Sequence, residues 1–245
     1  STKAFVFSNE GQILHQKKIK YKLQRPKPFH IECNPETILD DIVYLFNEMV
    51  TGEKSENIHG LGFAFQRSTF LFWEKSTCIP LTPAISWQDS RATVILDRFK
   101  EYEEKVWEIT GAPLSAHFGG PKFYHMVQNN KTLKEKAKSG EVYFGPLSAF
   151  IVHAITGHAA IDESIAGRTL MYDLHSGGWS QFTLDLFDVP IGCLPPIKPV
   201  EYEYGNFLNS EIPLLAVIGD QQSALIGQSG LKKYTIGANF GTSAS

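Results

Sequence analysis

The sequence lacks the features that mark several large classes of protein. It contains no apolar run of the roughly 18 residues that a membrane-spanning helix needs. Its three cysteines, Cys33, Cys78 and Cys193, lie far apart in the chain. They form neither a C-x-x-C site nor a disulfide framework, so they suit a reducing compartment. The sequence therefore predicts a cytoplasmic protein that does not enter a membrane.

The charge pattern does not indicate any particular class of binding partner. The formal net charge is −3, and 42% hydrophobic with 20% charged residues is ordinary for a globular protein. Residues 131–138 mix basic with acidic side chains, as a solvated helix face does. Nothing in the composition favours nucleic acid or an anionic membrane surface as a partner.

Several catalytic motifs are missing. There is no G-x-x-x-x-G-K-[ST] and no G-x-G-x-x-G, so a Walker or Rossmann nucleotide site is unsupported. There is no H-E-x-x-H, and His153 and His158 lie five residues apart rather than four, which disfavours structural zinc. The absence of G-x-S-x-G leaves an α/β hydrolase without its main motif.

Strand-like and helix-like patterns alternate along the chain, which predicts an α/β fold. Residues 3–7 and 12–21 flank a turn signal and predict a hairpin. Asn34, Pro35 and Glu36 are typical of a helix start, and apolar spacing continues that helix to about residue 50. The same reasoning predicts strands over residues 60–65 and 69–73, and helices over residues 91–110, 121–138 and 145–156, the last ended by Gly157.

Asp220 follows a short, almost wholly apolar run at residues 212–219. Such a run is typical of a strand covered on both faces, and ligands of open α/β sheets bind beyond the carboxyl ends of strands. A carboxylate there can accept a proton from a hydroxyl group, although a capping or loop acid would give the same pattern. Residues 221–228 predict a helix.

Gly241 and Thr242 follow a second strand-like run. A tight turn of this composition can supply backbone N–H groups and a hydroxyl to a phosphate, and a plain turn at a strand end is the alternative. Arg67 could hold two neighbouring hydroxyls or form a surface ion pair. Trp87 could form a wall for the C–H face of a sugar or pack in the core.

Short runs spread over the whole chain resemble the FGGY family of carbohydrate kinases, and its glycerol kinase subgroup most of all. The runs are residues 1–4 (STKA), 32–35 (ECNP), 66–67 (QR), 72–75 (FWEK), 85–91 (ISWQDSR), 118–122 (FGGPK), 167–171 (GRTLM), 219–222 (GDQQ) and 239–242 (NFGT). They occur in the order that the family has.

The resemblance implies a ribonuclease-H-like, actin-like fold with a mixed central sheet flanked by helices. Residues 1–235 would form the substrate-binding domain without its first strand, and residues 236–245 would begin the ATP-binding domain. The implied reaction is phosphoryl transfer from ATP to a hydroxyl of a sugar or polyol, with Mg²⁺. A homodimer or homotetramer is compatible with it.

The resemblance also assigns roles to individual residues. Asp220 would be the catalytic base and would help to hold the metal. Arg67, Trp87 and Gln221 would line the substrate pocket, together with Ser68 and His117. Gly241 and Thr242 would belong to the family's second phosphate loop.

Three positions depart from glycerol kinases. Ser68 stands where they have a glutamate, His117 where they have a tyrosine, and Ser245 where they have an aromatic residue. Each change removes a contact to glycerol or enlarges the pocket, which predicts a larger polyol or sugar. The family's first phosphate loop is expected before Ser1, so the chain alone is expected to be inactive. A non-catalytic sugar-binding module of the same fold is the alternative.

Overall fold

Strands and helices alternate in the computed structural model, which describes residues 1–52, 57–231, 234 and 236–237. The strands are β1 (Thr2–Phe7), β2 (Ile13–Ile19), β3 (Glu32–Cys33), β4 (Leu61–Phe65), β5 (Phe70–Glu74), β6 (Ala84–Ile85), β7 (Val142–Pro146), β8 (Ile161–Asp162), β9 (Tyr172–Asp173), β10 (Gly178–Trp179), β11 (Ile197–Lys198), β12 (Glu201–Asn206) and β13 (Pro213–Gly219). The helices are α1 (Pro35–Gly52), α2 (Glu103–Thr110), α3 (Gly119–Gln128), α4 (Lys131–Ser139), α5 (Leu147–Thr156), α6 (Glu163–Ala166), α7 (Gln181–Leu186) and α8 (Asp220–Ser229), with 3-10 helices at Arg91–Tyr102 and Ile191–Cys193. In the part of the chain so described, no helix is both long and apolar enough to cross a membrane.

The predicted hairpin and first helix are both present. β1 and β2 pair in antiparallel fashion, with Thr2 opposite Ile19, and α1 packs against them. The Asn34 side chain accepts hydrogen bonds from the backbone N–H groups of Glu36 (2.8 Å) and Thr37 (3.3 Å). An N-cap of this kind satisfies donors that the first helical turn leaves free, which explains why α1 begins at Pro35.

Two larger sheets carry the rest of the fold. In the first, β13 lies between β12, to which it is antiparallel, and β4, to which it is parallel, so this sheet is mixed. The second has the order β3-β6-β5-β7. Gly219 lies opposite Phe65, so the carboxyl ends of β4 and β13 reach the same edge of the first sheet.

β5 divides the core into two clusters because alternate side chains point to opposite faces of a strand. Leu71 and Trp73 pack into one cluster with α5, whereas Phe70 and Phe72 pack into the other with α3 and β7. All four side chains are fully buried. Burial on both faces explains why this strand has an unbroken apolar sequence.

The structure differs from the predicted elements in three places. Arg91–Tyr102 is a 3-10 helix that becomes α-helical only in α2. The predicted helix over 121–138 is two helices, because the Asn130 side chain accepts a hydrogen bond from the Leu133 N–H (3.0 Å) and starts α4 anew. Gly145 belongs to β7 rather than to the following helix, and the apolar pattern gave no sign of that strand.

Gly157 ends α5, as the sequence predicts, with a φ of +77°. A Cβ at this position would meet no atom within 4 Å, so glycine is favoured here only by the left-handed backbone conformation and not by lack of space. We expect Gly157→Ala to lower the free energy of unfolding by about 1 kcal/mol, measured by urea denaturation. Gly192→Ala is the control, because its Cβ would also meet nothing and its φ is not positive. Equal effects of the two substitutions would contradict this account.

Candidate active site

Arg67 and Asp220 meet at the edge where β4 and β13 end. The Arg67 Nε lies 3.6 Å from the Asp220 Oδ1, and 47% of the aspartate side chain is exposed. Asp220 is the first residue of α8, and the Gln221 N–H donates a hydrogen bond to its Oδ1 (2.8 Å). Asp220 is therefore an accessible carboxylate beside a guanidinium at a sheet edge.

Gly219 allows this arrangement. A Cβ at this position would lie 2.7 Å from the Gln222 Oε1 and 2.8 Å from the Arg67 Cδ. Glycine at a sheet edge often lets a ligand approach the backbone. In the structure the side chains of Arg67 and Gln222 take that space, so the glycine is needed to seat them.

Trp87, His117 and Ser68 lie on loops that one buried lysine ties together. The Lys122 Nζ donates hydrogen bonds to the carbonyl oxygens of Ser68 and Ser86, both at 2.7 Å. Trp87 follows Ser86, and its carbonyl oxygen lies 2.8 Å from the His117 Nδ1. Trp87 is 47% exposed, so it is not a core residue, and its ring is available to form a wall of a ligand pocket.

Ser68 has an unusual conformation. Its φ is +61°, a left-handed value that is costly for a residue other than glycine, and it is almost completely buried. Its Oγ has no hydrogen-bond partner in the part of the chain that the structure describes. The Lys122 hydrogen bond to its carbonyl oxygen helps to hold this backbone in place.

Sequence reasoning missed a second acid behind the site. Asp162 is fully buried, and its Oδ2 accepts a short hydrogen bond from the Ser164 hydroxyl. The same Ser164 Oγ accepts a hydrogen bond from the Gly219 N–H (2.8 Å), so the network ends next to Asp220. Burial raises the pKa of Asp162 to about 6. The only local signal was the capping pattern of α6, in which Asp162 also accepts from the Ile165 N–H (3.1 Å).

Several buried polar atoms around this site have no hydrogen-bond partner among the described residues. Buried polar side-chain atoms normally have a partner. Of the eight that lack one among the described residues, four belong to residues in or beside the site: Ser68 Oγ, Asp162 Oδ1, Arg168 Nε and Gln222 Oε1. A polar ligand could complete the hydrogen bonds of such atoms.

The site offers one carboxylate to a Mg²⁺ ion, whose other ligands would be water and phosphate oxygens. Among the described residues, no three or more His, Cys, Asp or Glu side chains come together as a metal site. Mg²⁺ usually keeps several waters and binds through one or two carboxylates plus phosphate oxygens, so the exposed Asp220 carboxylate is a suitable partner. The predicted phosphate-loop residues Gly241 and Thr242, and also Ser245, lie outside the described residues.

A family model described as the FGGY family of carbohydrate kinases, N-terminal domain, matches residues 1–227. The chain therefore belongs to this family of carbohydrate kinases. A glycerol kinase of Bacillus cereus (strain AH187) is 34% identical over 252 residues, which cover 97% of this chain and 51% of that protein. The chain thus spans about half the length of the curated relatives that it matches.

Solved structures agree. A glycerol kinase of Plasmodium falciparum, crystallised with ADP, is 28% identical with a TM-score of 0.88, over 93% of this chain and 48% of that one. A xylulose kinase of Lactobacillus acidophilus is 19% identical with a TM-score of 0.82, over 92% of this chain and 47% of that one, and shows the fold alone. The predicted ribonuclease-H-like, actin-like fold is confirmed.

Lys122 should make the free energy of unfolding depend on pH. Burial lowers its pKa in the folded protein to about 7, from an ordinary value of 10.5. Between these values the unfolded chain binds more protons, so the lysine makes stability rise with pH by up to about 1.4 kcal/mol per unit. We expect Lys122→Met to lack this rise when unfolding is measured at a series of pH values above 7.

The control for this measurement is Lys131→Met, which removes a lysine whose side chain is 91% exposed. It should follow the wild-type pH dependence. If Lys122→Met and the wild type run parallel over the same pH range, the buried amine does not titrate as proposed.

Proposed function

We propose that this chain provides the substrate-binding half of an enzyme that transfers a phosphoryl group from ATP to a hydroxyl of a sugar or polyol. The observation that carries the proposal is the exposed Asp220 carboxylate, held beside Arg67 at the carboxyl ends of two parallel strands. Phosphoryl transfer to an alcohol needs a base on the accepting hydroxyl and fixed positive groups near the phosphate. Both kinds of group are present at this edge.

Asp220 would act as the base. Its Oδ1 is engaged by the Gln221 N–H and lies near Arg67, while about half of the side chain remains open to a ligand. A carboxylate fixed on one side and open on the other can accept a proton without first losing a partner. Binding Mg²⁺ at the same carboxylate would offset the negative charge of the nucleotide phosphates.

The substrate pocket would be built from both sides of Asp220. Arg67 and Gln221 can donate hydrogen bonds to neighbouring hydroxyls. The exposed Trp87 ring offers an apolar wall for the C–H face of a sugar or polyol, and the His117 ring contacts the Trp87 carbonyl oxygen. The unpaired Ser68 hydroxyl is a further group that a polyhydroxylated ligand could satisfy.

The remaining assignments extend the same proposal. Gly241 and Thr242 would contact the phosphates of ATP, residues 1–235 would form the substrate domain, and residues 236–245 would begin the ATP-binding domain. The cytoplasm is the proposed location, where ATP is available, and the enzyme would assemble as a homodimer or homotetramer.

Replacing the base tests the reaction. In a chain of the relatives' full length that includes these residues, we expect Asp220→Asn to lower ADP formation with a sugar or polyol by about 10²–10⁴-fold. Asparagine keeps the size and the hydrogen bonds but cannot accept the proton, so substrate binding should persist. Full activity of the variant would reject Asp220 as the base, and a wild type that binds polyols without forming ADP would indicate a non-catalytic binding module.

The substrate preference can be tested by changing the size of the pocket. Because Ser68 and His117 replace the larger residues of glycerol kinases, we expect a higher kcat/KM for a four- to six-carbon polyol or sugar than for glycerol. His117→Tyr should shift this ratio towards glycerol by narrowing the pocket beside Trp87. Lys131→Met, on the exposed face of α4, should leave the ratio unchanged. A wild-type enzyme that prefers glycerol over every larger polyol would contradict the prediction.

A further inference from the structure

Arg168 lies beside the site and has no counterion among the described residues. It follows α6, and its guanidinium lies over the Phe118 ring at 4.4 Å from the centroid. Its Nε is shut off from solvent and has no hydrogen-bond partner in the described part of the chain. No carboxylate of the described residues forms an ion pair with it.

The charge that acts on Arg168 is that of another arginine, Arg67. Burial lowers the pKa of Arg168, and the positive charge of Arg67 lowers it further. Arg67 itself faces one carboxylate, Asp220, at 3.6 Å. Of these two guanidinium groups, only that of Arg67 is paired with a carboxylate of the described residues. Burying an unpaired charge is costly, so a ligand that brings negative charge would relieve it.

The position of Arg168 is fixed from both sides. Its guanidinium covers the buried Phe118 ring, and its carbonyl oxygen accepts a hydrogen bond from the Gly119 N–H (3.4 Å). Phe118 directly follows His117, which contacts the Trp87 loop. Arg168 thus lies between the Trp87 side of the site and the Arg67 side, where a bound substrate would be enclosed.

We propose that Arg168 and Arg67 together bind the phosphate group of the phosphorylated sugar or polyol. This rests on the proposed function, since it adds the phosphate-binding side of the same site. A phosphate monoester carries between one and two negative charges and three acceptor oxygens, which two guanidinium groups match better than a carboxylate would. Arg67 would keep Asp220 as a neighbour, and Arg168 would gain the counterion that it lacks.

The test compares three small probes on the 245-residue chain by titration calorimetry: glycerol 3-phosphate, glycerate and glycerol. They share a three-carbon skeleton and differ in carrying a phosphate, a carboxylate or no charge. We expect the wild type to bind glycerol 3-phosphate at least about tenfold more tightly than the other two, because charge-assisted hydrogen bonds are the stronger ones. Arg168→Met should remove this preference and leave glycerol binding unchanged.

Matched variants separate the role of Arg168 from general effects. Lys131→Met makes the same change in net charge on an exposed side chain and should keep the phosphate preference. Arg168→Lys keeps the charge without the planar fork, so it should retain part of the preference and provides a second test if the methionine variant does not fold. Circular dichroism checks the fold of each variant.

Three results would overturn the proposal. They are no binding of glycerol 3-phosphate by the wild type, an equal or greater affinity for glycerate, and an unchanged phosphate preference in both folded Arg168 variants. The proposed function is judged separately by ADP formation and its loss in Asp220→Asn. A kinase that loses activity in that variant but shows no phosphate preference through Arg168 would retain the function and reject this inference.

Discussion

The parallel pairing of β4 with β13 is the contact on which the candidate site depends. The two strands are far apart in the sequence, so bringing them together costs loop-closure entropy that only burial can offset. Phe65 at the end of β4 packs in the same core cluster as Leu214 and Val217 of β13. Because both strands end at one edge, the residues after them, Arg67 and Asp220, are brought within 3.6 Å of each other. The proximity of Arg67 and Asp220 is thus a consequence of the core packing of the two strands.

Lys122 provides a second constraint of a different kind. A fully buried ammonium group is expensive, and an apolar residue of similar volume often serves stability as well or better. The lysine adds specific hydrogen bonds. It donates to the carbonyl oxygens of Ser68 and Ser86, and so it fixes the Arg67 loop against the Trp87 loop. The positive φ of Ser68 is tolerated in the same place. Such a balance suits a site in which geometry matters more than stability.

The sequence predicted the features that rest on local signals. An apolar run ending in Asp220, an N-cap at Asn34 and a terminating Gly157 each act over a few residues, and each is found in the structure. The sequence did not predict β7, because its short apolar run leads directly into a buried helix and the two patterns overlap. The split at Asn130 was missed because one side-chain hydrogen bond, rather than a change in periodicity, starts the new helix.

The same distinction applies to the site. Arg67, Trp87 and Asp220 could be selected because each follows a strand-like run and carries a recognisable chemical group. The roles of Asp162 and Arg168 depend on long-range contacts. Asp162 reaches Gly219 through Ser164, and the Arg168 Nε has no partner among the residues that the structure describes. No local pattern encodes the absence of a counterion. A buried, unpaired group becomes visible only when the surrounding segments are in place.

These unpaired groups also explain how the site can favour a ligand. Ser68, Arg168 and Gln222 come from three separate segments, and each keeps a buried polar atom without a partner among the described residues. Every such atom lowers the stability of the empty protein, since its hydrogen bonds to water are lost on folding and are not replaced. A ligand that supplies the partners recovers this free energy on binding. Hydroxyl groups suit Ser68 and Gln222, whereas Arg168 requires negative charge. A molecule that carries both hydroxyls and a phosphate would therefore satisfy more of the site than a neutral polyol does.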